Sequence, residues 1–264
     1  MGVEPSSPDS SGDPRSGEWF SAWFDSPYYH RLYRDRDSSE AQKLLDGLVK
    51  WLRLEPGAKV LDLACGRGRH AVQLRARGFD VTGVDLSPSS IAYAQRFADD
   101  LLRFRVHDMR QPLGEPNRFD CVLNLFTSFG YFGSDAANTL VLRLVADALR
   151  PGGILVLDYF NTPWVERTLV PEETKTIEGT TFHLTRRLHD GSFEKRIEFI
   201  DDEGQPKCFT ERVMALRPRR FERAFAEAGL RLQAAFGDYE LNPYDPHASP
   251  RQLYMVKKSD SEAE

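Results

Sequence analysis

A chain of 264 residues, 41% hydrophobic, can bury one large core with an added subdomain, and a formal net charge of −5 offers no overall attraction to a phosphate backbone, which excludes nucleic acid as the expected partner. Three cysteines, Cys65, Cys121 and Cys208, are odd in number and lack C-x-x-C spacing, which argues against a disulfide framework or a zinc site and for a reduced, cytoplasmic chain. No apolar run approaches a membrane span, and the first residues lack the basic start and apolar core of a signal peptide.

Residues 1–17 are rich in Ser, Pro, Asp and Gly and predict a disordered tail, as does the acidic end at 259–264. One domain is expected over 18–258. It begins with an aromatic segment in which Trp19, Phe20, Trp23, Phe24, Tyr28, Tyr29 and Tyr33 crowd together. Such density needs a surface to cover, either as packing on the domain or as a lid over its ligand. Residues 39–54 open with a capping box, Ser39 to Gln42, and carry Leu44, Leu45, Leu48, Val49 and Leu52 on one helical stripe.

Residues 60–63 then form a short apolar run with Asp62 as its only polar member. That suits a strand buried on both faces of a parallel sheet. Gly66 and Gly68 follow, where the missing Cβ permits a sharp turn and a close approach of backbone N–H groups to a ligand. A helix over 69–78 stops at Gly78. Strands are predicted at 80–85, 103–107, 118–125 and 154–158, with helices at 87–99, capped by Ser87, and 134–149 between them. Strand and helix alternate, so the fold class is α/β, a Rossmann-like doubly wound sheet.

Beyond residue 161 the texture changes. Residues 180–188, 193–200 and 207–216 read as three strands separated by Asp190-Gly191 and Asp202-Glu203-Gly204 turns, an antiparallel meander inserted over 165–216. A helix at 217–229 and a final antiparallel pair, 230–239 and 252–257, complete a seven-stranded, mostly parallel sheet.

Gly66-x-Gly68-x-x-Ala71 also satisfies a dinucleotide fingerprint, so glycines alone leave a nicotinamide cofactor open. The acids discriminate. Asp62, Asp85 and Asp108 each fall near the carboxyl end of a strand, the edge at which open α/β sheets bind ligands. A pyrophosphate beside even one unpaired carboxylate would suffer repulsion of roughly 3 kcal/mol at about 5 Å and an effective dielectric near 20. A ligand carrying a sulfonium and an ammonium is attracted instead.

The order D-x-A-C-G-x-G, then G-V-D, then D-M-R resembles the class I S-adenosylmethionine (SAM) dependent methyltransferases. The resemblance implies SAM as cofactor, with the turn at Ala64, Gly66 and Gly68 against its methionine part and Asp85 accepting from both ribose hydroxyls. It implies that Asp108 accepts from the adenine amino group while Met109 flanks the ring. Asp62 is read as attracting the ammonium, or else as capping local N–H groups, and Leu86 and Leu125 complete the cofactor set. The stretch DMRQPLGEPNRFDCVLNLFTSFGYF, with Tyr29-x-x-x-Tyr33 upstream, is similar to small-molecule N-methyltransferases acting on nucleotide-linked amino sugars and, more loosely, to glycine N-methyltransferase. In the sugar enzymes the residue matching Tyr131 can be a histidine near the acceptor amine, and the one matching Tyr29 contacts the cofactor.

Tyr131 and then Tyr33 are therefore expected on the acceptor side. An isolated histidine such as His107 or His183 is expected at the surface or in a structural role, with His183 reaching over from the meander as the alternative. Arg110 is expected to pair with a nearby acid, and Cys65 to be a packing residue. The leading function is methyl transfer from SAM to a small-molecule acceptor, nitrogen ahead of oxygen or carbon, by a monomer or homodimer without metal, membrane or nucleic-acid partners. A non-catalytic SAM-binding scaffold and a nicotinamide oxidoreductase are the rival readings.

Overall fold

The structure, a computed structural model, describes residues 19–34 and 38–259. The tails expected at 1–17 and, past Ser259, at 260–264 lie outside the described residues, as does the Ser39 side chain of the expected capping box. Two short helices come first, α1 (Trp19–Phe24) and α2 (Pro27–Leu32), the second started by Ser26, whose Oγ accepts from the Tyr28 N–H at 3.2 Å. Helix α3 (Ser38–Leu52) buries Leu44, Leu45 and Leu48 along the predicted stripe.

The main sheet holds β1 (Lys59–Leu63), β2 (Asp80–Asp85), β3 (Leu102–Val106), β4 (Phe119–Asn124), β5 (Leu149–Phe160), β10 (Leu230–Phe236) and β11 (Arg251–Lys258) in the order β10-β11-β5-β4-β1-β2-β3. All neighbouring pairs are parallel except those of β11, which runs antiparallel to both β5 and β10. Helices α4 (Arg69–Ala76) and α5 (Pro88–Ala94) join α3 against one face, where Leu74, Ile91 and Val60 share a core. Helices α6 (Asp135–Ala148) and α8 (Pro218–Glu227) cover the other face, burying Val141, Val145, Phe221 and Phe225 against Leu61 and Leu63. Alternate residues of β1 thus face opposite layers, as an apolar strand sealed on both sides requires.

Chain order reverses between β1 and β4, the place at which open α/β sheets form a ligand-binding crevice. The buried Asn124 side chain, ending β4, donates to the Leu63 carbonyl at 3.1 Å and ties the two strands at that point.

The second sheet has four strands rather than three: β6 (Glu172–Ile177), β7 (Thr180–His189), β8 (Ser192–Ile200) and β9 (Pro206–Met214). The unpredicted β6, EETKTI, lies at the edge and is exposed at most of its positions, so it carries no apolar alternation to read. Helix α7 (Thr162–Thr168), which leads from β5 to the meander, was likewise not predicted. Strand β5 starts at Leu149, ahead of the predicted 154–158, with an irregularity between Phe119 pairing with Leu149 and Cys121 pairing with Ile154. The inner face of the meander, through Phe182, Leu184, Ile197 and Phe199, closes a third core with Trp19, Phe20, Trp23 and Leu32. Helices α1 and α2 are therefore held between the meander and the crevice.

Candidate active site

Glycines and caps set the floor of the crevice. After β1 the chain passes through Ala64 at φ 65°, Gly66 at 53° and Gly68 at 82°, then enters α4. The two glycines serve different ends. A Cβ on Gly66 would meet open space, whereas one on Gly68 would stand 2.8 Å from the Phe104 ring. Close packing against β3, not ligand approach, is what demands glycine at 68 beyond its left-handed backbone.

Asp85 closes the same turn from β2: its Oδ2 accepts from the Gly66 N–H at 2.8 Å and its Oδ1 from the Ser87 N–H at 2.9 Å. Burial raises its carboxyl above the ordinary value, and those two N–H groups oppose the rise. Each oxygen keeps a lone pair for a further donor. Burial is complete at Asp62 and pushes its carboxyl up to about 7, with the Ala71 N–H and Arg69 opposing and Asp85 adding to it. Its Oδ2 has no hydrogen-bond partner among the described residues. A buried, half-satisfied carboxylate is costly unless something cationic or N–H bearing meets it.

The third acid is different. Asp108 is ion-paired with Arg110 at 2.6 Å and also accepts the Arg110 N–H at 2.9 Å. Partial burial raises its carboxyl, but the Arg110 contacts outweigh this and hold it below the usual range. The three acids do converge on one cavity, yet they are not three free charges: Asp108 is neutralised and Asp62 titrates near 7.

That cavity has a volume of about 690 Å3, inside the roughly 300–1,000 Å3 of small-molecule and cofactor sites. Asp62, Ala64, Gly66, Gly68, Asp85, Leu86, Asp108, Met109 and Leu125 line its floor, and Tyr29, Tyr33 and Tyr131 line its roof. His183 does not belong to it: the side chain is exposed on β7, 3.3 Å from Thr174 Oγ1. Cys65 lines the wall with its thiol pushed far up by burial, as suits packing rather than reactivity. His30 is also there, held neutral with its value lowered to about 4 by burial and by Arg67.

The roof is aromatic. Tyr131 packs edge-on to Trp19 at 5.8 Å and to Phe24 at 5.3 Å, and its hydroxyl donates to the Thr127 carbonyl. Tyr29 lies between Phe24 and Tyr33. One roof residue that no motif flagged is Glu211 of β9, which reaches the cavity from the meander. Its Oε1 accepts from Trp23 Nε1 and from the Tyr33 hydroxyl, each at 2.7 Å. A signal did exist: Phe209, Glu211 and Val213 share one face of β9, so an acid sits at an inward, apolar position.

Between floor and roof lies a strained link. Phe126 and Thr127 have φ of 57° and 61°, a region that costs about 1–3 kcal/mol for residues of this kind. Asp158, fully buried at the end of β5, accepts the Phe126 N–H at 2.7 Å and pairs with Arg251 at 2.8 Å, while Arg251 also donates to Thr127 Oγ1. The surroundings hold the strain in place.

Comparison with known proteins identifies the family and the fold. A methyltransferase domain model matches residues 60–153. A glycine/sarcosine N-methyltransferase of Parasynechococcus marenigrum (strain WH8102) is 34% identical over 216 residues, 76% of this chain and 73% of that protein. The chain belongs to the SAM-dependent methyltransferases. This methyltransferase is also 26% identical over 212 residues to the dTDP-3-amino-3,4,6-trideoxy-alpha-D-glucopyranose N,N-dimethyltransferase of Streptomyces venezuelae, covering 76% of the chain and 87% of the relative. It spans 47% of the length of the putative methyltransferase YqeM of Bacillus subtilis (strain 168), 33% identical over 117 residues and 43% of this chain. In fold it superposes on a SAM-dependent methyltransferase from Clostridium acetobutylicum ATCC 824 with a TM-score of 0.75 at 19% identity, covering 88% of this chain and 96% of that one.

The seven-stranded, mostly parallel sheet with its antiparallel insertion is the architecture expected from the sequence. The residues present also fit the family's cofactor. The unpartnered Asp62 Oδ2 suits an ammonium, the open lone pairs of Asp85 suit hydroxyl donors, and Leu86 and Met109 offer apolar flanks. No helix among the described residues is long and apolar enough to cross a membrane.

Proposed function

We propose that this methyltransferase moves a methyl group from SAM to the nitrogen of a small amine held between the sheet edge and the aromatic roof. The observation that carries the reading is the continuity of one cavity from Asp62 and Asp85 to Tyr33, Tyr131 and Glu211. Its volume suits a cofactor with a small partner rather than a folded macromolecule. The printed activities of two relatives, glycine/sarcosine N-methylation and amino-sugar N,N-dimethylation, support nitrogen as the acceptor atom.

In this reading Asp85 accepts from the ribose hydroxyls, Asp62 receives the ammonium and Asp108, with Arg110 behind it, the adenine amino group. Ala64, Gly66 and Gly68 bring backbone to the methionine part, Leu86, Met109 and Leu125 supply apolar contact, and Tyr29 touches the cofactor from above. Bound there, SAM supplies an electrophilic methyl carbon on a sulfonium sulfur. The remaining task is alignment and exclusion of water. Tyr131 and Tyr33 shape the acceptor side, and the rings of Trp19, Phe20 and Phe24 behind them keep it dry. The free thiols of Cys65, Cys121 and Cys208 suit a reducing, cytoplasmic setting.

The test is incubation with SAM tritiated on the methyl group and a small-molecule extract, followed by fractionation. Label is expected in amine-bearing metabolites. Binding of SAM without transfer to any fraction would leave a cofactor-binding scaffold in its place.

A further inference from the structure

Among the described residues that line the cavity, the acids are Asp62, Asp85, Asp108 and Glu211, and the last alone comes from the meander. Its position is expensive. The side chain is 15% exposed and projects from the face of β9 that also carries Phe209, packed on Trp23 at 4.7 Å, and Val213. A leucine there would avoid the desolvation of a charge.

The donors around Glu211 are arranged unequally. Oε1 takes both Trp23 Nε1 and the Tyr33 hydroxyl at 2.7 Å. Oε2 lies 2.9 Å from the same hydroxyl, which has one proton to give, and 3.7 Å from Lys195 Nζ, whose shorter contact is to the Tyr33 oxygen. Oε1 is thus satisfied, and Oε2 keeps acceptor capacity in a residue that borders the cavity. Trp23 and Tyr33 are aromatic and stiff, so the carboxylate is fixed before any ligand arrives.

We propose that Glu211 is the acceptor-binding residue that selects an N–H bearing amine and stabilises the charge it gains during methyl transfer. The inference rests on the N-methylation reading above and deepens it. A neutral amine donating one N–H to Oε2 has its lone pair directed away from the carboxylate. As transfer proceeds the N–C bond forms from that lone pair, the S–C bond breaks with its electrons going to sulfur, and the nitrogen becomes cationic. A preset carboxylate is worth most at that stage, because it meets charge that develops in the transition state. The product proton leaves to solvent. Primary and secondary amines retain an N–H and are accepted, while a tertiary amine leaves Oε2 unpaired and is refused.

The experiment uses the full chain, tritiated SAM and two ladders of acceptors: glycine, sarcosine and dimethylglycine, and a dTDP-linked 3-amino sugar carrying no, one or two N-methyl groups. Label is expected on primary and secondary members of at least one ladder and not on the tertiary member. Glu211→Gln, which keeps an oxygen for Trp23 and Tyr33, is expected to lower kcat/KM by about 10²–10³-fold, the usual cost of one preset electrostatic contact. The rise in Tm on adding SAM should stay as in the wild type, and Glu211→Asp should recover part of the rate. A Gln variant within threefold of wild type, loss of its SAM response together with its rate, or label on none of the amines overturns the assignment of Glu211. Failure of SAM to raise the Tm of the wild type would instead remove the methyltransferase reading beneath it.

Discussion

The floor and the roof of the cavity are built by opposite means. On the floor, Asp62, Gly66 and Asp85 are fixed by backbone: a strand end, a left-handed turn and two N–H groups held at 2.8 and 2.9 Å. On the roof, the decisive contacts join residues far apart in the chain, Trp23 of α1 and Tyr33 at the end of α2 to Glu211 of the meander. A floor of this kind suits a cofactor shared by a whole family. A roof made of side chains can be exchanged, and with it the acceptor.

The largest effect should come from breaking the floor. Asp85→Ala removes an acceptor of charge-assisted hydrogen bonds worth about 1.5–3 kcal/mol each, so SAM affinity is expected to fall by about 10²–10⁴-fold in a calorimetric titration. Next is the link between the two halves. Arg251→Met leaves the fully buried Asp158 without its guanidinium and is expected to cost about 3–5 kcal/mol in urea unfolding, with the Phe126–Thr127 segment loosened. An unchanged midpoint would mean that the strained link holds itself.

The pH response of Asp62 sharpens the contrast further. Its carboxyl, ordinarily at 3.8, is raised to about 7 by burial. The folded chain without ligand therefore keeps this proton over a range in which the unfolded chain has lost it. Its contribution to stability is greatest below about pH 4 and declines as pH rises to about 7. Asp62→Asn should flatten that decline in melts across the range. Conversely, an ammonium favours the ionised form, so SAM affinity should rise about tenfold from pH 6 to pH 7.5 and binding should release a proton. The smallest effect belongs to the roof: Tyr131→Phe loses one hydroxyl contact to the Thr127 carbonyl, about 1 kcal/mol of stability, with a few-fold change in transfer rate and SAM binding untouched.

Much of the floor could be read from sequence because its determinants are local. Val60, Leu61 and Leu63, the left-handed glycines and the acids ending successive strands lie within a few residues of the backbone they control. The ion pair of Asp108 with Arg110 was also within reach, since the partners are two residues apart. What escaped was set by tertiary packing. Strand β6 pairs only with β7 and exposes Glu172, Thr174, Lys175 and Thr176, so it leaves no periodic trace. Helix α7 is seven residues long and shows little apolar pattern. His183 is exposed, as an isolated histidine was expected to be, because alternation along β7 sends Phe182 and Leu184 inward and His183 out. Glu211 obeys the same alternation in the inward sense, and only pairing with Trp23 and Tyr33 reveals why an acid is tolerated there.

The central claim, that carboxylates at the sheet edge hold SAM, is tested most directly by isothermal titration of SAM into the wild type and into Asp85→Ala, with NAD titrated in parallel. Saturable SAM binding by the wild type, its loss in the variant and no heat from NAD are the predicted results. Equal SAM binding by both proteins, or NAD binding in place of SAM, would contradict the account.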